Sequence, residues 1–165
     1  MKRFCFTLGL ALAALAVLGL TGITTAGEQV PFKGRLEGVV TITPVPNGPP
    51  TLVDVLVTAT GNATHLGKFA LTVPHRVDRS TMPPSATGFY HFTAANGDKV
   101  YAEFTGIASP TATPGVLYIE ETATITGGTG RFAGATGSFS VDRLYDTVAG
   151  TTIGSFEGTI SAPGS

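Results

Sequence analysis

The chain has 165 residues, a formal net charge of −1 at pH 7 and a single cysteine, and 42% of its residues are hydrophobic. This small, unclustered charge argues against nucleic acid or an anionic membrane as the main partner, because both are bound through basic patches. One cysteine cannot form an intrachain disulfide, so a disulfide framework is excluded and the fold depends on its own core.

The first 26 residues have the pattern of a secretory signal peptide. Lys2 and Arg3 form a positive start, an uncharged run rich in Ala and Leu covers 4–20, and small residues end at Ala26. The pattern predicts a secreted or periplasmic protein that is cleaved after Ala26. A retained membrane anchor is the alternative, but the apolar run is short for a span. Cleavage leaves one domain, 27–165, without cysteine, with a net charge of −3 and with no membrane contact.

Beyond the signal, apolar residues alternate with a period of two and Thr, Val, Ile, Phe and Gly dominate, which predicts strands and no long helix. Eight segments carry this pattern: 32–43, 52–60, 67–75, 88–94, 99–107, 116–126, 138–144 and 152–161. Such a series of sequential antiparallel strands predicts an all-β domain. The period leaves open whether that domain is a closed barrel or a two-sheet sandwich.

A short hairpin is predicted between the fourth and fifth strands, where Asn96-Gly97 supplies the positive φ angles of a two-residue turn. This register pairs three residues of each strand: Phe92 with Tyr101, Tyr90 with Glu103, and His91 with Ala102.

The most distinctive segment is 126–137, which reads TGGTGRFAGATG. Gly128, Gly130 and Ala133 match the spacing of a dinucleotide-binding fingerprint, but that fingerprint needs a long helix after its glycines. Here only six residues separate Gly130 from Gly137, and a strand follows. We therefore expect no nucleotide cofactor. The segment is predicted to be a tight connection between strands six and seven, with Phe132 plugging one end of a barrel.

Eight residues of this segment resemble a signature of allene oxide cyclases and dirigent proteins, which carry a similar stretch between two late strands of an eight-stranded antiparallel barrel. They are Gly127, Gly128, Thr129, Gly130, Phe132, Gly134, Ala135 and Gly137. The chain is also similar to secreted bacterial proteins, mostly without known function, in the hairpin 92–98 and in the run 121–126. The resemblance implies a closed eight-stranded antiparallel barrel.

The resemblance also implies a kind of ligand. Allene oxide cyclases use a carboxylate and bound water in an apolar barrel to steer the ring closure of a fatty-acid epoxide. Dirigent proteins orient phenolic radicals or quinone methides with acidic, tyrosine and arginine side chains. Both families form trimers, so a homo-oligomer (a trimer or a dimer) is an implied partner state. Outside the glycine segment the likeness is too thin to align catalytic residues, so no residue role is carried over.

Five charged or phenolic residues inside the strands are candidates for a site. Glu121 is in phase with the apolar face of strand six, and Arg143 is in phase with that of strand seven. A carboxylate inside an apolar barrel is desolvated, which is typical of functional groups. Glu121 with Arg143 is therefore the first candidate, and the group Tyr90, Tyr101 and Glu103 is the second. The alternative is that these are ordinary strand-face charges that pair with neighbours or face solvent.

The sequence contains no motif typical of a zinc site or of a serine hydrolase. The spacings of His65, His75 and His91 match no compact zinc motif, so no metal site is expected. No G-x-S-x-G nucleophile turn occurs.

The sequence is compatible with three functions. The first is a secreted barrel that binds a small, largely apolar molecule. The second is a cyclase or isomerase that uses an internal carboxylate. The third is a non-catalytic structural protein of the cell surface.

Overall fold

A computed structural model describes residues 27–164, so the predicted signal peptide lies outside the described residues. Eight strands follow one another: β1 Gln29–Pro44, β2 Leu52–Ala63, β3 Gly67–Asp78, β4 Ser85–Ala94, β5 Lys99–Pro110, β6 Val116–Gly128, β7 Gly137–Asp146 and β8 Thr151–Ser161. A single turn of 3-10 helix, Gly130–Phe132, stands between β6 and β7. No helix in the described part of the chain has the length and hydropathy to cross a membrane.

The strands close into one antiparallel barrel. Each strand pairs with its neighbours in sequence, and β1 pairs with both β2 and β8. This confirms the predicted eight-stranded closed barrel. The two-sheet alternative is wrong, because the β1–β8 pairing leaves no open edge.

One half of the interior is a packed aromatic core. Alternate residues of each strand point inward, and five of those are phenylalanines whose ring centroids lie 5.0–6.1 Å apart. They are Phe32, Phe69, Phe92, Phe139 and Phe156. Rings at these separations pack in tilted and edge-to-face pairs, which fill space as densely as an organic crystal. This half of the barrel is therefore solid.

The end of the barrel next to this core, here called the closed end, is sealed by the glycine segment. Phe132 is 1% exposed and belongs to the hydrophobic core, which confirms its predicted position as a plug. Gly130 and Gly137 have φ angles of +59° and +144°, where a side chain is strained. A Cβ on Gly137 would also lie 2.2 Å from the carbonyl oxygen of Thr159. Glycine at these points lets the turn fold back over the core.

The hairpin between β4 and β5 corrects the predicted register. Phe92 pairs with Val100, Tyr90 with Ala102, and His91 with Tyr101, so the prediction was wrong by one residue. The loop contains three residues, because the amide of Ala94 donates to the carbonyl of Asp98 and only Gly97 has a positive φ, +89°. The backbone of Asn96 does not have a positive φ, and its side-chain oxygen accepts a hydrogen bond from the Asp98 amide. Asn-Gly therefore closes a hairpin of the three-residue kind.

The opposite end, here called the mouth, is formed by the loops 45–51, 79–84, 111–115 and 147–150. These loops bond mainly to the next loop or strand around the rim, as where the amide of Val40 donates to the carbonyl of Gly150 at 2.8 Å. Six inward-facing residues here are only half-buried: Val40, Val77, Ala86, Ala108, Leu117 and Tyr145. The mouth is thus a ring of mainly apolar side chains that are only partly buried.

Candidate functional site

Three polar side chains lie inside the barrel, between the aromatic core and the mouth. The guanidinium of Arg143 binds the carboxylate of Glu121 through two bonds, Nη2 to Oε1 at 2.7 Å and Nε to Oε2 at 3.1 Å. The hydroxyl of Tyr90 also donates to Oε2 of Glu121. The Glu121 side chain has no exposed surface, and that of Arg143 has 6%. The Glu121 carboxylate thus accepts three hydrogen bonds, two of them from the charged guanidinium of Arg143.

Neighbouring strands make room for this group with glycine. Gly106 lies directly across from Glu121 on β5, and Gly154 directly across from Arg143 on β8. A Cβ on Gly106 would lie 2.6 Å from Cγ of Glu121, and one on Gly154 would lie 2.3 Å from Cβ of Arg143. Both are below any normal contact distance, so each long polar side chain occupies space that only glycine leaves free.

The surroundings shift the acidity of three groups. Burial, and after it the charge of Glu121, raises the pKa of Tyr90 well above its ordinary value, so the phenol stays protonated and donates. Burial alone would lower the pKa of Arg143, but the carboxylate of Glu121 outweighs it and the net pKa is raised. Burial also lowers the pKa of His75, and the positive charge of Arg143 lowers it further. His75 is therefore a neutral imidazole at neutral pH.

Arg143 is the member of this group that faces the mouth. Its Nη1 lies 3.4 Å from the hydroxyl of Thr152, which itself donates to the carbonyl of Leu144 at 2.8 Å. Two residues further along β7 toward the mouth stands half-buried Tyr145. An arginine has five N–H donors, and three of the Arg143 nitrogens already bond within the protein. Two further N–H groups remain on the guanidinium, which also interacts with Tyr90.

The second predicted group is not assembled. Tyr90 points inward and is 1% exposed, whereas Tyr101 and Glu103 are on the outer face of β5. The error follows from the hairpin register, because a shift of one residue moves a side chain to the other face of the sheet. Tyr90 joins Glu121 and Arg143 instead.

Sequence reasoning missed two residues of the interior site. His75 points inward, contacts the ring of Phe104 in an edge-to-face arrangement with centroids 5.6 Å apart, and donates from Nδ1 to the carbonyl of Val73 at 3.0 Å. Thr152 is 3% exposed beside Arg143. The detectable signal for His75 was its period-two phase with the apolar face of β3, which includes Leu71 and Val73.

The polar group of the interior is fully hydrogen-bonded. Within residues 27–164 no group of His, Cys, Asp and Glu is placed to hold a metal ion, and no buried side-chain nitrogen or oxygen lacks a partner. The apolar mouth can bury a ligand's hydrocarbon surface, and Arg143 can bind an oxygen of its polar end.

Known proteins match this chain in fold. No protein-family model and no curated protein matches it. The pterocarpan synthase dirigent protein PsPTS1 matches with a TM-score of 0.56 and 11% identity, over 82% of this chain and 96% of that protein. The pterocarpan synthase dirigent protein GePTS1 matches with a TM-score of 0.56 and 14% identity, over 93% of this chain and 99% of that protein. At these identities the likeness shows the fold alone, a dirigent-like barrel.

Proposed function

We propose that the chain is exported and binds a small, largely apolar molecule in the mouth of its barrel, with Arg143 contacting a polar or anionic end of that molecule. The observation that carries the proposal is the placement of a buried, hydrogen-bonded Tyr90–Glu121–Arg143 group directly beneath a ring of half-buried apolar side chains. Export rests on the pattern of residues 1–26 alone.

The buried ion pair supports a functional role because it is an inefficient way to fill a core. Desolvating two charges costs several kcal/mol per ion, and hydrophobic side chains of the same volume often stabilise a protein as well or better. In this barrel the pair holds the Arg143 side chain through two hydrogen bonds, and 6% of that side chain remains exposed. A rigid, preoriented guanidinium loses little entropy when it binds a carbonyl, phenolate or carboxylate oxygen.

The mouth supplies the affinity for the rest of the ligand. Its wall includes Val77, Ala86, Ala108 and Leu117, which are half-buried. Burial of apolar surface is worth about 25 cal/mol per Å², so each 100 Å² covered by a ligand contributes about 2.5 kcal/mol. Two proteins of the same fold are pterocarpan synthases by name, so aromatic molecules are the first class to test.

The test is retention of a ligand by the purified exported protein. Native mass spectrometry, followed by solvent extraction of the released molecule, should show one bound small molecule, or binding of added flavonoid-type and fatty-acid probes. Ala108→Trp fills the mouth from its inward face and should abolish binding. Ile107→Trp adds the same ring on the outer face of the same strand and should bind normally. Equal binding by both variants would refute the mouth as the site.

The cyclase or isomerase hypothesis requires more of the interior site than binding. It needs Glu121 to act on a substrate, yet this side chain is fully buried and already bonded to Arg143 and Tyr90. The geometry suits Arg143 for contact with a ligand and Glu121 for positioning that arginine. If a substrate is found by screening epoxides and polyenes, turnover that survives Glu121→Gln would exclude the carboxylate as the acid or base.

A further inference from the structure

The outer face of the β4–β5 hairpin carries a row of three aromatic rings. Phe89 stacks on His91, with ring centroids 6.2 Å apart and an interplanar angle of 27°. His91 meets Tyr101 edge-to-face, with centroids 5.6 Å apart and an angle of 89°. Phe89 is 49% exposed, whereas the inward-facing phenylalanines of the barrel are buried.

Polar groups surround the rings in rows set by the strand register. Glu103 lies directly across from Phe89 on β5, and Thr124 lies directly across from Glu103 on β6. One step toward the mouth, Thr87, Thr105 and Thr122 form a parallel row of exposed hydroxyls. These residues enclose an open groove of about 480 Å³ on the barrel surface. We call it the outer groove: Phe89, Glu103 and the four threonines 87, 105, 122 and 124.

We propose that the outer groove binds a neutral carbohydrate. The negative face of an aromatic ring attracts the weakly positive C–H groups on the flat face of a sugar ring. The carboxylate of Glu103 accepts hydrogen bonds from sugar hydroxyls, and threonine hydroxyls both donate and accept. The groove therefore offers a stacking platform with acceptors and donors at its edge, which is the chemistry that sugars require.

Charge separates this ligand from two others. A nucleic acid or another polyanion is held by lysine and arginine, whereas the outer groove presents a carboxylate and no basic side chain. A hydrophobic protein partner buries a continuous apolar patch, whereas Phe89 is the one large exposed apolar side chain among these six residues. A second copy of the chain remains an outcome for the test to detect.

The outer groove is independent of the interior site. Phe89 points outward, between Gly88 and Tyr90, whose inward positions belong to the mouth and to the Tyr90–Glu121–Arg143 group. Truncating an exposed side chain changes stability little. Loss of carbohydrate binding on substitution of Phe89 can therefore be separated from the proposed binding in the mouth.

Affinity electrophoresis tests the proposal. The purified protein is run in native gels that contain hydroxyethylcellulose, xylan, galactomannan or dextran, and retardation at several concentrations gives an apparent affinity. The unsubstituted protein should be retarded by at least one polymer. Phe89→Ala should weaken that affinity about tenfold, and Phe89→Leu should do the same because leucine keeps the apolar bulk and removes the ring. Glu103→Gln should weaken it about fivefold.

Controls lie on the other side of the barrel. Ile153 on β8 is 60% exposed, and the exposed Glu37 lies across from it on β1. Ile153→Ala and Glu37→Gln should be retarded like the unsubstituted protein. The proposal is overturned if no polymer retards the protein, if Phe89→Leu binds normally, or if the controls lose as much as the Phe89 variants. It is also overturned if Phe89→Ala only dissociates an oligomer, seen by sedimentation, without changing retardation.

Discussion

Glu121→Gln tests whether the interior polar group is as dry and as well bonded as its geometry indicates. The substitution keeps the shape of the side chain but removes its charge. In the unsubstituted protein two nitrogens of Arg143 donate to the carboxylate at 2.7 and 3.1 Å, and in the variant the amide N–H groups face one of these donors. Arg143 is then a buried cation without a counter-charge. Breaking a buried pair in this way costs about 3–5 kcal/mol.

A loss of this size is readily measured. In a domain of this length it lowers the melting temperature by roughly 10–20 °C, and urea unfolding with linear extrapolation gives the free energy directly. Glu120→Gln is the matched control, because Glu120 is the next residue along β6 but faces outward and is exposed. The control should stay within about 0.5 kcal/mol of the unsubstituted protein. If Glu121→Gln also costs less than about 1 kcal/mol, the pair is solvated and the interior site is misread.

Three further predictions concern stability. Gly106→Ala should destabilise the protein by about 1–3 kcal/mol in urea unfolding, because the new Cβ lies 2.6 Å from Cγ of Glu121; a loss no larger than that of Val148→Ala, in an exposed loop, would contradict the tight fit. Phe132→Ala should cost about 3–5 kcal/mol by opening the closed end, and a loss below about 1 kcal/mol would show that the core does not need this plug. The folded-state pKa of His75 is lowered, so below about pH 6.5 the unfolded chain binds more protons and stability falls as pH falls. His75→Gln should reduce the drop in urea midpoint between about pH 7 and about pH 5, and an unchanged drop would rule out this titration.

The two ends of the barrel differ in how deeply their side chains are buried. The closed end holds the phenylalanine core and the plug, so its residues are buried and fixed. The mouth carries half-buried apolar side chains, which is unfavourable for the isolated protein and useful for a ligand that covers them.

The strands themselves were predictable because side-chain alternation is a local property. All eight segments are strands, and each reaches or extends the predicted bounds. Local alternation also placed Glu121 and Arg143 on inward faces, and the structure pairs them. Their roles in binding or catalysis stay predictions.

The hairpin could not be predicted to the residue, because Asn-Gly fits a two-residue and a three-residue loop equally well from local chemistry. The choice depended on which residues of β5 share the inward face with Tyr90 and Phe92, here Val100 and Ala102, and burial is a property of the closed barrel. That single step separated Tyr90 from Tyr101 and Glu103, and it created the outer row of rings.

The sequence by itself determined the all-β class, the strand positions and the glycine turn, since each follows from the period of two or from backbone freedom at glycine. Only the tertiary structure decided that β1 meets β8, that Tyr90 joins Glu121 and Arg143, and that Phe89, His91 and Tyr101 share one outer surface. The physical reason is that closure and register are set by packing between residues far apart in the chain. Alternation with a period of two specifies which side chains share a face of a strand. Packing specifies which strands bring those faces together.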